Sequence, residues 1–183
     1  MRRVLLIVLA GIVTAFVIFA IVVALQPAQF RVERTATIAA PAPIVFTQVN
    51  DFHNWQAWSP WAKLDPAMQV AYEGPASGTG AIYRWTGNDQ VGEGSATIIE
   101  SRPSELVRIQ LDFVKPVAAA DIAEFDLKPA GDQVAVTWSL SGENNFLCKA
   151  VNLVMNMDRM LGAMFDQGLA DLKVRAEAAA AQP

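Results

Sequence analysis

The sequence predicts an α+β domain in which a curved antiparallel sheet of about seven strands wraps one long C-terminal helix, with a transmembrane helix ahead of it. Three patterns predict this. Residues 4–25 form an unbroken apolar run interrupted by one polar side chain, Thr14. Residues 30–39 and, after two short helical segments, residues 68–141 alternate with period two, the second stretch broken at intervals by Gly, Pro, Asn and Asp. Residues 145–176 change to a period of 3.6.

The apolar run is long enough, as a helix, to cross about 30 Å of hydrocarbon. Arg2 and Arg3 with a possible cleavage site at Val22-Val23-Ala24 also suit a secretory signal. The run exceeds the roughly 7–15 apolar residues of such a signal, which favours a retained anchor over residues 1–25. Positive charge before the helix, against the mixed Arg31, Glu33 and Arg34 after it, favours a cytoplasmic N-terminus and an extracytoplasmic, periplasmic domain. Beyond Leu25 the chain carries eighteen acidic and twelve basic side chains, a net −6. Nucleic acid is excluded as a partner on that ground, because phosphate binding needs a basic surface. Residues 26–29 form a linker that reaches about 14 Å when fully extended, so the domain is expected close to the bilayer. The domain occupies residues 30–177, and the alanine-rich residues 178–183 are expected to be a disordered tail. At this size a single core can bury about 70% of the unfolded surface without covalent staples. The lone Cys148 cannot close an internal disulfide and reads as a small core residue.

The first strand, residues 30–39, sets Phe30, Val32, Ala36 and Ile38 against Arg31, Glu33, Thr35 and Thr37. Pro41 and Pro43 suit the first turn of a helix carrying Ile44, Val45, Phe46 and Val49. A second short helix holds Phe52 to Trp58 and stops at Ser59-Pro60. Six strands follow. Met68, Val70 and Tyr72 share one face of the first, and Ala81, Tyr83 and Trp85 one face of the next. Residues 91–100 alternate less cleanly. Val107, Ile109, Leu111 and Phe113 then face inward, as do Ala123, Phe125 and Leu127, and Val134, Val136, Trp138 and Leu140. Short connections leave no room for crossover helices, so these strands form an antiparallel meander. One amphipathic helix from Asn145 to about Ala176 covers the sheet, with Asn144 or Asn145 as N-cap. A bent sheet gripping one helix need not fill the space between them, and a pocket results.

Three features carry a family resemblance: Thr37-Ile38-Ala39-Ala40-Pro41 followed by Val45-Phe46, the run Asp51 to Trp61 (DFHNWQAWSPW), and the terminal helix. On these the chain resembles the START-like superfamily, also labelled SRPBCC or polyketide cyclase/dehydrase, over residues 30–177. The Trp run looks like a membrane-anchored bacterial branch. The resemblance implies the helix-grip fold and a cavity for lipids, quinones, polyketides or hormones. It supplies no single catalytic motif, so catalytic residues stay unassigned and cyclase or dehydratase activity is implied only as one family chemistry.

No HExxH, CxxC, G-x-S-x-G or P-loop spacing occurs, so no metal and no cofactor is expected. Gly78-Thr79-Gly80 precedes a strand and reads as a turn. His53, beside Asp51 and Asn54, reads as a surface or capping histidine. The expected ligand-contacting residues are Tyr83, Trp85, Phe113, Phe125 and Trp138 from the sheet and Met157, Met160, Leu161 and Met164 from the helix. Methionine adapts to varied apolar shapes, and core packing would explain the same residues. Arg84 falls on the opposite face from Tyr83. Trp55, Trp58 and Trp61 are either a satellite core or the rim of the pocket and an interfacial contact. Asp158, at the edge of the helix's apolar arc, is either a polar anchor for a ligand or a surface carboxylate paired with a cation. Three functions remain open: a membrane-anchored domain binding a hydrophobic small molecule or lipid, a cyclase-type enzyme using groups such as Tyr83 or Asp158, and an envelope interaction module using the tryptophans.

Overall fold

The computed structural model describes residues 2–154 and 157–181. It divides into two compact units, residues 1–30 with 143–157, and residues 31–142 with 158–183.

In the first unit, helix α1 spans Arg2–Ala24, and its large apolar side chains are exposed along most of its length. Among the described residues it is the one helix long and apolar enough to cross a membrane. The same unit holds a short helix over Phe146–Val154. Asn145 caps that helix, accepting the Cys148 backbone N–H at 2.8 Å. Cys148 itself is half-buried.

The second unit is built on a curved antiparallel sheet of seven strands. Strand β1 covers Gln29–Ile38, and helix α2, Ala42–Asn50, starts after Pro41 with Pro43 in its first turn. A 3₁₀ helix over Phe52–Ala57 and helix α3 over Pro60–Leu64 follow. Strands β2 to β7 are Gln69–Glu73, Ile82–Thr86, Glu93–Arg102, Leu106–Lys115, Ala119–Ala130 and Gln133–Glu143. They pair consecutively and antiparallel, and β1 lies beside β7 in the order β1-β7-β6-β5-β4-β3-β2. The weak alternation of residues 91–100 has a physical cause. Burial alternates regularly from Gly94 to Ile99, but the inward positions Gly94 and Ala96 are small and Ile99 is apolar on the outer face, so hydropathy does not follow it; beyond Ile98 a bulge shifts the β4/β5 register before Glu100. Such a bulge also bends the sheet.

The long C-terminal helix spans Met157–Ala180. With the Phe146–Val154 helix labelled α4, it is α5. The sequence pattern joins both into one helix, whereas α4 belongs to the unit containing α1. Residues 155 and 156 lie outside the described residues. Asp158 sits in the first turn of α5, where a carboxylate suits the positive end of the helix dipole. The buried stripe of α5 is Phe165, Leu169, Leu172 and Ala176, spaced to share one face. Polar ties fix it to β1: Lys173 Nζ donates to the Thr37 carbonyl at 3.0 Å, and Glu177 accepts the Ala39 N–H at 2.8 Å. Lys63 of α3 holds Asp171 at 2.5 Å.

Two glycines let side chains approach α5 closely. A Cβ on Gly162 would meet the Arg34 guanidinium, which pairs with Asp158 at 3.3 Å and Asp166 at 3.6 Å. A Cβ on Gly168 would meet the Trp138 ring and Pro60. Arg34 is a flexible surface side chain in exposed ion pairs worth about 0–1 kcal/mol. Gly162→Ala is therefore expected to change stability by less than about 1 kcal/mol, since helix propensity returns about as much. Gly168→Ala meets a packed indole and is expected to lose about 1–3 kcal/mol. Thermal unfolding of the two variants side by side checks the contrast.

Candidate functional site

The inward faces of β3 to β7 leave a cavity of about 180 Å³ inside the second unit. Its floor is a set of cross-strand neighbours. Tyr83 of β3 pairs with Ala96 of β4, and Ala96 with Leu111 of β5; Trp85 pairs with Gly94, and Gly94 with Phe113. Ala123, Trp138 and Leu140 continue the wall on β6 and β7. Leu161 and Phe165, one turn apart on α5, close it from above, and Trp55, Ser59 and Trp61 close one side. Trp138 stacks on Phe165 with centroids 4.3 Å apart, so one wall is a rigid aromatic pair.

Nearly all the lining is carbon. The exceptions include the hydroxyls of Ser59 and Tyr83. Gln56 Nε2 donates to the Tyr83 oxygen at 3.2 Å. Burial, with Tyr72 nearby, pushes the Tyr83 phenol up to about 12 despite that bond. The indole N–H groups of Trp55 and Trp85 are satisfied by the carbonyls of Val49 and Val91, at 2.9 and 3.3 Å, so these rings offer the cavity apolar surface.

Of the residues expected to contact a ligand, Tyr83, Trp85, Phe113, Trp138 and Leu161 line the cavity. Phe125 does not. It is fully buried, stacked on Trp138 at 4.8 Å and capped edge-on by Trp58 at 6.0 Å. Met160 is 46% exposed and Met164 is half-buried off the lining. The reason is angular. Leu161 and Phe165 form the inward stripe, and Met160 and Met164 form the stripe about 100° away. The Met157 side chain lies outside the described residues. Trp55 and Trp61 border the cavity, whereas Trp58 is fully buried and belongs to the aromatic core. Asp158 is on the surface beside Arg34, outside the cavity wall. Arg84 pairs with Glu73 at 2.8 Å on the outer face.

Sequence reasoning missed Met68, Ala96, Ala123, Val91 and Phe165 as lining. Ala96 and Ala123 could have been found by asking which small residues share a cross-strand row with Tyr83 and Phe113. A second hollow, about 230 Å³, lies by Phe52, His53, Tyr72 and Gly74. There His53 Nδ1 sits 2.8 Å from Asp51, whose carboxylate also caps the 3₁₀ helix, and the imidazole stacks on Tyr72 at 4.0 Å. Among the described residues no group of His, Cys, Asp and Glu is placed to hold a metal.

A long helix closing over a curved antiparallel sheet, with an apolar chamber between them, defines a helix-grip fold. The chain belongs to the polyketide cyclase/dehydrase and lipid transport family, whose model matches residues 29–177. Solved structures agree on the fold. The KanY protein matches with a TM-score of 0.62 at 18% identity, over 82% of this chain and 99% of its own. Protein MLL2253 from Mesorhizobium loti matches with 0.60 at 12% identity, over 81% and 98%. Protein CV1439 from Chromobacterium violaceum matches with 0.58 at 15% identity, over 83% and 99%. No curated protein sequence matches the chain significantly.

Proposed function

We propose that this chain is a membrane-anchored domain that binds a hydrophobic small molecule, or the apolar end of a lipid, in the cavity between sheet and α5. The observation that carries the reading is the cavity itself: a largely carbon-lined space of about 180 Å³ left in an otherwise packed interior. Packing normally removes such voids, and an apolar cavity of about 150 Å³ is known to take up benzene. Its size suits one ring or a short chain segment, being smaller than the roughly 300–1,000 Å³ of sites that enclose a whole drug-sized ligand. The family description includes lipid transport, which fits the same chemistry. Tyr83, Trp85, Phe113, Trp138 and Leu161 are the proposed ligand contacts, with Trp55 and Trp61 at the side wall. Residues 4–25 are the proposed anchor, with the domain of residues 30–177 outside the cytoplasm.

A cyclase-type enzyme has less support. It needs a proton donor and acceptor within reach of each other in the chamber. The Tyr83 phenol is held near 12, far from a neutral working pH, and Asp158 is outside. A contact module using the Trp run is likewise weakened, since Trp55 and Trp58 are buried.

The test uses the full chain in lipid nanodiscs, with toluene as probe and the indole N–H NMR signals as readout. Toluene is expected to shift the signals of Trp55, Trp61, Trp85 and Trp138 saturably. Ala96→Leu and Ala123→Leu, each filling the cavity from a different strand, are expected to weaken that binding at least about tenfold, the equivalent of 1.4 kcal/mol. Absence of saturable shifts in the wild-type chain, or equal binding in both variants, would sink the proposal.

A further inference from the structure

Next to the residues that line the cavity, though not one of them, stands a carboxyl to which the packing gives no partner. Asp121 lies on the inward face of β6, in phase with Ala123, Phe125 and Leu127. It is 8% exposed. Its cross-strand partners are Leu111 on β5 and Gly142 on β7. Leu111 lines the cavity, as do Ala123 two residues on and Phe113 diagonally across. Side chains paired this way stand about 4.5–5.5 Å apart at Cβ, so the carboxyl stands at the cavity's edge. No hydrogen bond or ion pair to this carboxyl is formed among the described residues, whereas those of Asp51, Asp65, Asp158, Asp166 and Asp171 all have partners.

Among the described residues no fully enclosed side-chain oxygen lacks a partner, so the Asp121 oxygens, which have none, keep a little accessible surface; a carboxyl held so far out of water without a donor is still costly. Apolar neighbours offer it nothing. Leu111, Ala119, Ala123, Leu140 and Gly142 bring no donor to that face. Its row continues across the cavity floor through Leu111 and Ala96 to Tyr83. At about 4.8 Å per strand, the carboxyl and the Tyr83 residue are about 14 Å apart at the backbone. The row is thus apolar in the middle, where it floors the chamber, and polar at both ends.

We infer that Asp121 is the specificity group of the cavity, and that the ligand is an apolar molecule bearing an O–H or N–H donor, an alcohol or an amine, which the carboxyl accepts. This rests on the proposed ligand cavity and names the chemical class that it selects. A hydrocarbon would fill the same space but leave the acceptor unmet. A carboxylic acid would set two anions together and be rejected.

The test compares four matched probes at pH 7.5 on the full chain in nanodiscs: toluene, benzyl alcohol, benzylamine and benzoate. A hydrogen bond to a buried charged group is expected to make the alcohol, the amine or both about tenfold tighter than toluene, with benzoate weaker than toluene. Asp121→Leu is expected to reduce alcohol and amine to the level of toluene while toluene still binds. Asp121→Asn is expected to keep an alcohol's advantage and lose an amine's, which separates the two donors. Equal binding of toluene, alcohol and amine to the wild-type chain overturns the inference, as does a preference that survives Asp121→Leu. Loss of toluene binding itself would instead overturn the cavity reading, and this inference with it.

Discussion

Trp58→Ala is expected to lower the stability of the domain by about 3–5 kcal/mol, the range for deleting a large aromatic side chain from a packed core. Trp58 is 0% exposed. Its ring meets Trp55 at 5.2 Å, Trp138 at 5.7 Å and Phe125 at 6.0 Å, and its N–H donates to the Gln48 carbonyl at 3.1 Å. Each ring contact of this kind is worth about 0.5–1.5 kcal/mol beyond area burial, and the orphaned carbonyl adds its own penalty. Against a whole-domain stability of about 5–15 kcal/mol, that loss is large enough to lower the melting temperature by roughly 10 °C or more. Trp61→Ala supplies the comparison. Trp61 is half-buried, touches Trp138 and Phe165 edge-on, and borders the cavity on its other side. A side chain next to empty space has fewer contacts to lose, so its deletion is expected to cost less than half as much. The melting temperatures of the two variants, measured together, check this. Equal losses would mean that the cavity wall is as tightly packed as the core.

The same pair shows what the sequence disclosed and what it did not. The spacing of Trp55, Trp58 and Trp61 marks an aromatic cluster, but which ring points to the core and which to the cavity depends on how α3 turns after Pro60. Period two was sufficient for β3, β5 and β7, where strict alternation names Tyr83, Trp85, Phe113 and Trp138 as inward. It is weak at β4, because the inward face carries the small Gly94 and Ala96 while the outer face carries Ile99. On the C-terminal helix the apolar arc is wide enough to include both Met160 and Leu161, and sequence has no means to say which of two adjacent stripes meets the sheet. The contacts of Phe165 with Trp138 decide it. Asp121 was hidden for a different reason. β6 begins at Ala119, but the apolar–polar alternation is clear in the sequence only from Ala123. Extending it backward by two residues places a carboxylate on the inward face.

That carboxylate leads to the second large effect. Burial raises the Asp121 carboxyl from 3.8 to about 6, with desolvation as the cause. The folded state therefore holds its proton more tightly than the unfolded state, so ionisation favours unfolding. Below pH about 4 both states are protonated and the site is neutral in effect. As pH rises toward 6 the unfolded chain ionises first and stability falls; above about 6 both are ionised and the full penalty persists. At about 1.36 kcal/mol per pH unit, the rise amounts to about 3 kcal/mol. Asp121→Leu is accordingly expected to stabilise the domain by about 3 kcal/mol at pH 7.5 and by much less at pH 4. Asp121→Asn should remove the same pH dependence. Urea unfolding at the two pH values measures both. A gain equal at pH 4 and 7.5 would assign the effect to packing, and a loss at pH 7.5 would mean that the carboxylate has a stabilising partner in the fold. A stabilisation by Asp121→Leu that is full only above pH about 6 would be the result expected if the carboxylate is kept for the proposed binding role at a cost in stability.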